Sequence, residues 1–160
     1  MDRRMRATSI ALGALVLTAS LAGCAAPPPP VPPTVVALTL AASADANQTT
    51  AGQGAPVALR VYQLASTSAF TGAEFFQLFS QDQATLGPDL VKRDDMIIAP
   101  GTSKAIALTP IDTVKAIGVF AAYRDYQAVV WRLTTAVAPH QTTTLTVTAG
   151  KAGLALAPAP

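Results

Sequence analysis

One residue in this 160-residue chain carries a soft nucleophile: Cys24, the sole cysteine. It follows Leu21-Ala22-Gly23 and precedes Ala25-Ala26 and a proline run. Leu21-Ala22-Gly23-Cys24 resembles a bacterial lipobox. In such a site the small residues fit a peptidase groove and the thiol is diacylated. The chain is then cut before the cysteine and the new amine is acylated. Free cysteines are often buried structural thiols, but four prolines within six residues leave no packed element to bury this one. A covalent lipid on Cys24 is the expected modification, and no other cofactor is expected. Each buried CH₂ contributes ~0.8 kcal/mol, so one chain binds a membrane marginally and three hold it essentially permanently. His140, the lone histidine, sits beside Pro139 in a connecting turn and cannot by itself supply a zinc site. Asp94 and Asp95 are adjacent and would point to opposite sides of a strand. Asp82 and Asp89 lack calcium-loop spacing. No G-x-S-x-G elbow, P-loop or G-x-G-x-x-G motif occurs. No catalytic residue, metal site or small-molecule substrate is expected, and the chain does not read as an enzyme.

The elements around Cys24 agree with export. Arg3, Arg4 and Arg6 precede an apolar run from Ala7 to Gly23 of about 17 residues. A helical span needs roughly 20 apolar residues, whereas a basic start and a short apolar run make a secretory signal. Residues 1–23 therefore read as a signal peptide. Residues 24–34 read as a lipidated N-terminus with a proline-rich tether, extended at ~3.1 Å per residue. Removing residues 1–23 takes three arginines and one aspartate from 11 basic and 9 acidic residues, leaving eight of each. A neutral mature chain argues against a nucleic-acid partner. With no cysteine left for a disulfide, the fold must rest on an apolar core.

Residues 35–160 read as one domain. Period-2 segments run over Val35–Ala42, Val57–Leu64, Met96–Ala99, Ala105–Thr109, Ala116–Tyr123, Ala128–Val137, Thr142–Thr148 and Leu154–Ala157. About eight short strands separated by turns predict an all-β antiparallel sandwich or barrel. "AFTGAEFFQLF" breaks the pattern. Thr71 and Glu74 have capping-box spacing, with Phe70 and Phe75 at the staple positions. A helix of about ten residues is expected next, with Phe75, Phe76, Leu78 and Phe79 clustered on half of it. It would be packed as a lid on one end of the sandwich; the alternative is that this phenylalanine group is a partner-docking face. A further short turn over Gln81–Thr85 would stop at Gly87-Pro88. The longest polar stretch between strands is "SADANQTTAGQGAP", residues 43–56. Loops held by a rigid scaffold often carry recognition, and Ala44, Asp45, Ala46, Asn47, Gln48, Thr49, Thr50 and Gln53 are its candidate contact residues. The alternative is a mobile hairpin tip. Deleting Ala46–Gln53 is expected to cost little stability, because loop length changes closure entropy slowly. Tyr62, Tyr123, Arg124, Asp125, Trp131 and Arg132 form a possible docking patch, against Trp131 as core and Arg124-Asp125 as turn residues.

Four segments together resemble the TssJ family, outer-membrane lipoproteins of the bacterial type VI secretion system. They are "VALRVYQL" at 57–64, "FTGAEFFQLF" at 70–79, "LGPDLVKRDDMIIAPG" at 86–101 and "AIGVFAAYRDYQAVVWR" at 116–132. The resemblance implies a transthyretin-like β-sandwich with a short helical insertion near 70–86. It implies a structural role on the periplasmic face of the outer membrane, anchored through acyl chains. It implies that the partner is the periplasmic C-terminal domain of TssM, with TssL joining indirectly in the membrane complex, and that the 43–56 loop makes the TssM contact. The rival reading is a periplasm-facing lipoprotein with a ligand-binding or chaperone sandwich.

Overall fold

A computed structural model describes residues 28–157 of the chain. The signal segment 1–23, Cys24 and its lipobox residues Leu21, Ala22 and Gly23 lie outside the described residues. Pro28–Pro30 are exposed and carry no regular structure. From Val31 onward the chain forms a compact unit. Its strands are β1 (Val35–Ala42), β2 (Val57–Leu64), β3 (Leu90–Ile98), β4 (Ser103–Leu108), β5 (Ala116–Ala122), β6 (Arg132–Ala136), β7 (Thr142–Gly150) and β8 (Gly153–Ala157). Helices α1 (Ser68–Gly72) and α2 (Phe75–Leu86) and a short 3-10 turn (Gly87–Asp89) lie between β2 and β3. The strands form two four-stranded sheets, ordered β4-β1-β7-β8 and β3-β2-β5-β6.

The period-2 pattern explains the space between the sheets. Val36, Leu38 and Leu40 of β1 and Leu145 and Val147 of β7 point inward from the first sheet. Val57, Leu59 and Val61 of β2 and Ile117, Val119 and Ala121 of β5 meet them from the second. Burying one such side chain stabilises by roughly 1.5–3 kcal/mol. One pairing departs from an antiparallel sandwich: β1 runs parallel to β7, with Val35 opposite Thr142 and Ala42 opposite Ala149. A parallel pair needs a long crossover, and here the entire second sheet supplies it.

The second sheet is covered on its outer face as well. Tyr62 and Leu64 of β2 and Phe120 of β5 are buried there beneath Phe70, Phe75, Leu78 and Leu86 of the helical segment. This is why β5, "AIGVFAA", is apolar on both faces. Gly118 sits beneath Phe70, and a Cβ there would meet the ring at 3.1 Å. The helices therefore lie on a sheet face and not on one end of the sandwich as the sequence led us to expect.

The helix starts differ from the capping-box reading. Thr71 is inside α1, and its hydroxyl donates to the carbonyls of Thr67 (3.0 Å) and Ser68 (3.3 Å). Glu74 is the N-cap of α2, and its N–H donates to Gln77 Oε1 at 2.7 Å. The motif has moved by three residues, because burying Phe70 in its own short helix consumes Thr71. The chain continues as α2 through Gln81, whose φ of −138° breaks the helical ladder. Arg60 donates to the carbonyls of Leu78 (2.7 Å) and Phe79 (2.9 Å) at that break, and Asp82 Oδ1 accepts from the Gln83 N–H (2.9 Å) to restart the helix.

Two strand bounds also shift. β3 begins at Leu90, six residues before the expected Met96, because "KRDD" pairs at the sheet edge with each charge partnered: Lys92 with Asp94, Arg93 with Asp82 and Asp95, and Asp95 with Arg60. β6 is restricted to Arg132–Ala136 of the expected Ala128–Val137. The residues before it leave the sheet, and Val130 instead bridges Gly153 of the other sheet.

Candidate functional site: a groove between three loops

β1 and β2 belong to different sheets, so residues 43–56 are a crossover between layers and not a hairpin tip. Their path is set by buried polar contacts. Ala46 is fully buried in the sandwich core. Asn47 is 8% exposed and adopts φ +48°, a left-handed conformation that asparagine tolerates. Its Nδ2 donates to Pro56 O at 2.9 Å, and its Oδ1 accepts from the Arg124 N–H at 2.8 Å. One side chain thus pins the loop to its own far end and to the β5–β6 connection. Further along, Thr49 N–H donates to Gln53 O (2.8 Å), Gly52 N–H to Thr49 O (2.9 Å) and Gln48 Nε2 to Gly52 O (3.1 Å). The expectation that deleting Ala46–Gln53 leaves stability almost unchanged is therefore corrected. The deletion removes a core residue and the Asn47 pin.

This loop, the β5–β6 connection and the β7–β8 turn enclose a groove of about 560 Å³. Asn47, Gln48, Thr49 and Thr50 form one wall; Tyr123, Arg124, Asp125 and Val129 form another, and Lys151 closes the third side. Of the other predicted loop residues, Ala44, Asp45 and Gln53 are exposed outside the groove and Ala46 is beneath it. Asp45 accepts a hydrogen bond from the Ser43 hydroxyl. Tyr123 is buried, and its hydroxyl donates to Gly150 O at 3.0 Å, tying the second wall to the third. Burial pushes its phenol up to about 12, so it remains a neutral donor at ordinary pH. Arg124 and Lys151 are exposed and form none of the described ion pairs. The hydroxyl of Thr49 is buried without a hydrogen-bond partner among the described residues. The groove offers hydroxyls, amides and two cations, a surface for a polar segment with negative charge.

The possible docking patch divides. Tyr123, Arg124 and Asp125 reach the groove, while Tyr62, Trp131 and Arg132 support the helices. Trp131 packs against both apolar clusters. Arg132 donates to the carbonyls of Phe70 (3.1 Å) and Ala73 at the end of α1 and lies 4.5 Å from the Trp131 ring centre. Asp125 does fix a turn, its carbonyl accepting from the Ala128 N–H at 3.1 Å.

Sequence reasoning missed a charged network under α2. Asp82 is 5% exposed. Its carboxylate accepts from Arg93 (2.8 and 3.0 Å) and from the Tyr62 hydroxyl (2.9 Å), with Arg60 at 3.6 Å. Burial pulls its pKa upward, but Arg93, the Tyr62 hydroxyl and Arg60 outweigh burial and hold it below the ordinary carboxylate range. Burial pushes the Tyr62 phenol well above its usual value. A period-3.6 reading places Asp82 four residues after Leu78 on the packed face, the one available signal.

His140 occupies the β6–β7 turn with φ +58°; its N–H donates to Thr34 Oγ1 at 2.9 Å, and its Nδ1 lies 3.2 Å from Pro32 O. Asp94 and Asp95 point to opposite sides of β3: Asp94 pairs with Lys92 (3.7 Å), and Asp95 pairs with Arg60 (3.1 Å) and Arg93 (2.8 Å). Among the described residues no group of three or more His, Cys, Asp or Glu could hold a metal ion.

Two four-stranded sheets packed face to face, with a groove between the loops at one end, define a β-sandwich domain. The chain belongs to the family T6SS-SciN, described as type VI secretion lipoprotein, VasD, EvfM, TssJ, which it matches over residues 34–152. Among solved structures it is similar to the T6SS lipoprotein TssJ1 from Pseudomonas aeruginosa, at 38% identity and TM-score 0.75, covering 81% of this chain and 100% of that one. It is also similar to Serratia marcescens Lip, a membrane-bound component of the type VI secretion system, at 25% identity and TM-score 0.72, covering 78% and 98%. A third match is to a chain in the structure described as the T6SS protein TssM C-terminal domain (869–1107) from EAEC, at 26% identity and TM-score 0.62, covering 79% and 99%. None of the curated proteins matches. The family is one of structural lipoproteins and not of enzymes.

Proposed function

We propose that this protein is exported, acylated on Cys24 and anchored in the outer membrane. There it holds the type VI secretion membrane complex by binding the periplasmic C-terminal domain of TssM in the groove. TssL joins through TssM. The lipobox sequence supports the anchor, and family membership supports the assembly. The observation that carries the reading is the placement of the groove at the far end of β1. The chain enters the sandwich beside His140 through Pro32 and Thr34, then runs along the eight residues of β1 before reaching the loop. At ~3.3 Å per residue, roughly 25 Å separate entry and groove. A domain suspended by its N-terminus would present the groove to a protein crossing the periplasm. Confinement to the membrane surface raises the effective concentration for a modest interface.

Two measurements test this. In the producing bacterium, Cys24→Ser should yield an exported, unacylated chain that leaves the membrane fraction; membrane retention of that variant would refute the anchor. The full-length acylated chain in detergent should bind the TssM C-terminal domain of the same bacterium, and Thr50→Trp, which fills the groove, should abolish that binding. Undiminished binding by Thr50→Trp would remove the groove from the interface.

A further inference from the structure

The exposed face of α2 runs against its amphipathic logic. Phe75 and Leu78 are buried, yet Phe76 is 58% and Phe79 45% exposed. Their ring centres lie 6.4 Å apart, edge to face. This aromatic patch is joined to the groove. Tyr126, two residues after Arg124, stacks on Phe75 (4.2 Å, 17°) and meets Phe76 edge-on at 5.3 Å. The β5–β6 connection therefore has the groove on one side, through Arg124 and Asp125, and the patch on the other. Arg60, itself paired with Asp95, lies 5.8 Å from the Phe79 ring centre at the patch's edge.

We propose that the partner's footprint extends over this connection, and that the partner segment is acidic and apolar. It sets carboxylates against Arg124 and Lys151 and one aliphatic or aromatic side chain against Phe76 and Phe79. This deepens the TssM reading and rests on it. Charge complementarity gives the first half: two cations line the groove without a described ion pair, against one carboxylate, Asp125. Continuity gives the second: a protein chain leaving the groove over Tyr126 passes directly onto Phe76. Desolvated aromatic anchors carry a large share of interface energy, and charges at the rim set association rate and salt dependence.

The test uses the full-length acylated chain in detergent and the TssM C-terminal domain, with affinity measured at low and high salt. Phe76→Ser with Phe79→Ser should weaken binding at least about tenfold and leave its salt dependence intact. Arg124→Glu with Lys151→Glu should weaken it at least about tenfold at low salt and flatten the salt dependence. Thermal unfolding of each variant should stay cooperative, since all four side chains are exposed. If either pair binds within about twofold of wild type while Thr50→Trp still blocks binding, the extended footprint is wrong and the groove reading survives. If Thr50→Trp is also without effect, the groove reading itself falls. If the phenylalanine pair leaves affinity unchanged but removes self-association of the acylated chain, the patch serves a second copy and the proposal is overturned.

Discussion

Replacing Asn47 by alanine probes how the groove is assembled. The side chain makes two hydrogen bonds that no neighbour can replace: Nδ2 to Pro56 O at 2.9 Å, and Oδ1 from the Arg124 N–H at 2.8 Å. A net contribution of about 1 kcal/mol each is ordinary for such bonds. Alanine would also have to occupy φ +48°, which costs a residue other than glycine or asparagine about 1 kcal/mol. The expected loss is about 3 kcal/mol, or roughly 10 °C in Tm for a domain of this size. Urea unfolding followed by the fluorescence of Trp131, the sole tryptophan, measures it. Asn47→Gly separates the components: it relieves the backbone strain but not the lost bonds, so it should lose about 2 kcal/mol. Asn47→Asp keeps the acceptor for Arg124 but sets a carboxylate against the Pro56 carbonyl, and should fall between wild type and alanine. Affinity for the TssM domain should drop in the alanine variant even where it is fully folded, because two groove walls come apart. If Asn47→Ala and Asn47→Gly both stay within about 0.5 kcal/mol of wild type, the loop is not held by this side chain and the account of the groove fails.

The Asp82 network gives a pH signature. Its folded carboxyl lies below the unfolded value, so the network's stabilisation is complete above about pH 4 and fades as pH falls through the folded value. Asp82→Asn should cost about 2 kcal/mol at pH 7, with the gap from wild type narrowing on acidification; a gap constant down to pH 2 would contradict the network. Gly54→Ala should destabilise by about 1–3 kcal/mol by overpacking, since its Cβ would lie 2.1 Å from the Ala44 carbonyl oxygen. Equal stability of the two proteins in urea would show that the loop gives way there.

Much of the sandwich was legible along the chain because strand formation follows local alternation. Val57, Leu59 and Val61 of β2 and Ile117, Val119 and Ala121 of β5 face the same core that their period-2 spacing predicts. The candidate loop was visible as a polar stretch between two such strands. Its conformation was not, because Ala46 and Asn47 look like ordinary loop residues until the sandwich core buries the first and Pro56 and Arg124 pair with the second. Lys151 likewise belongs to the groove only because β7 pairs with β1 in parallel and brings the 150–153 turn beside residues 47–50.

The expectations of export and of a lipid on Cys24, like the alternating strands of the body, come from short-range order: charge followed by apolar residues, small residues before a thiol, a period of two. Which strands pair, which side of the second sheet the helices cover and which loops meet depend on contacts between residues far apart in sequence. Thr71 satisfied a local capping rule and lost to the burial of Phe70. Tyr62 and Asp82, far apart in sequence, form a buried hydrogen bond at 2.9 Å under α2. Tertiary packing decided these points because burying an aromatic ring or a fully paired carboxylate outweighs the smaller preferences of a cap or a turn.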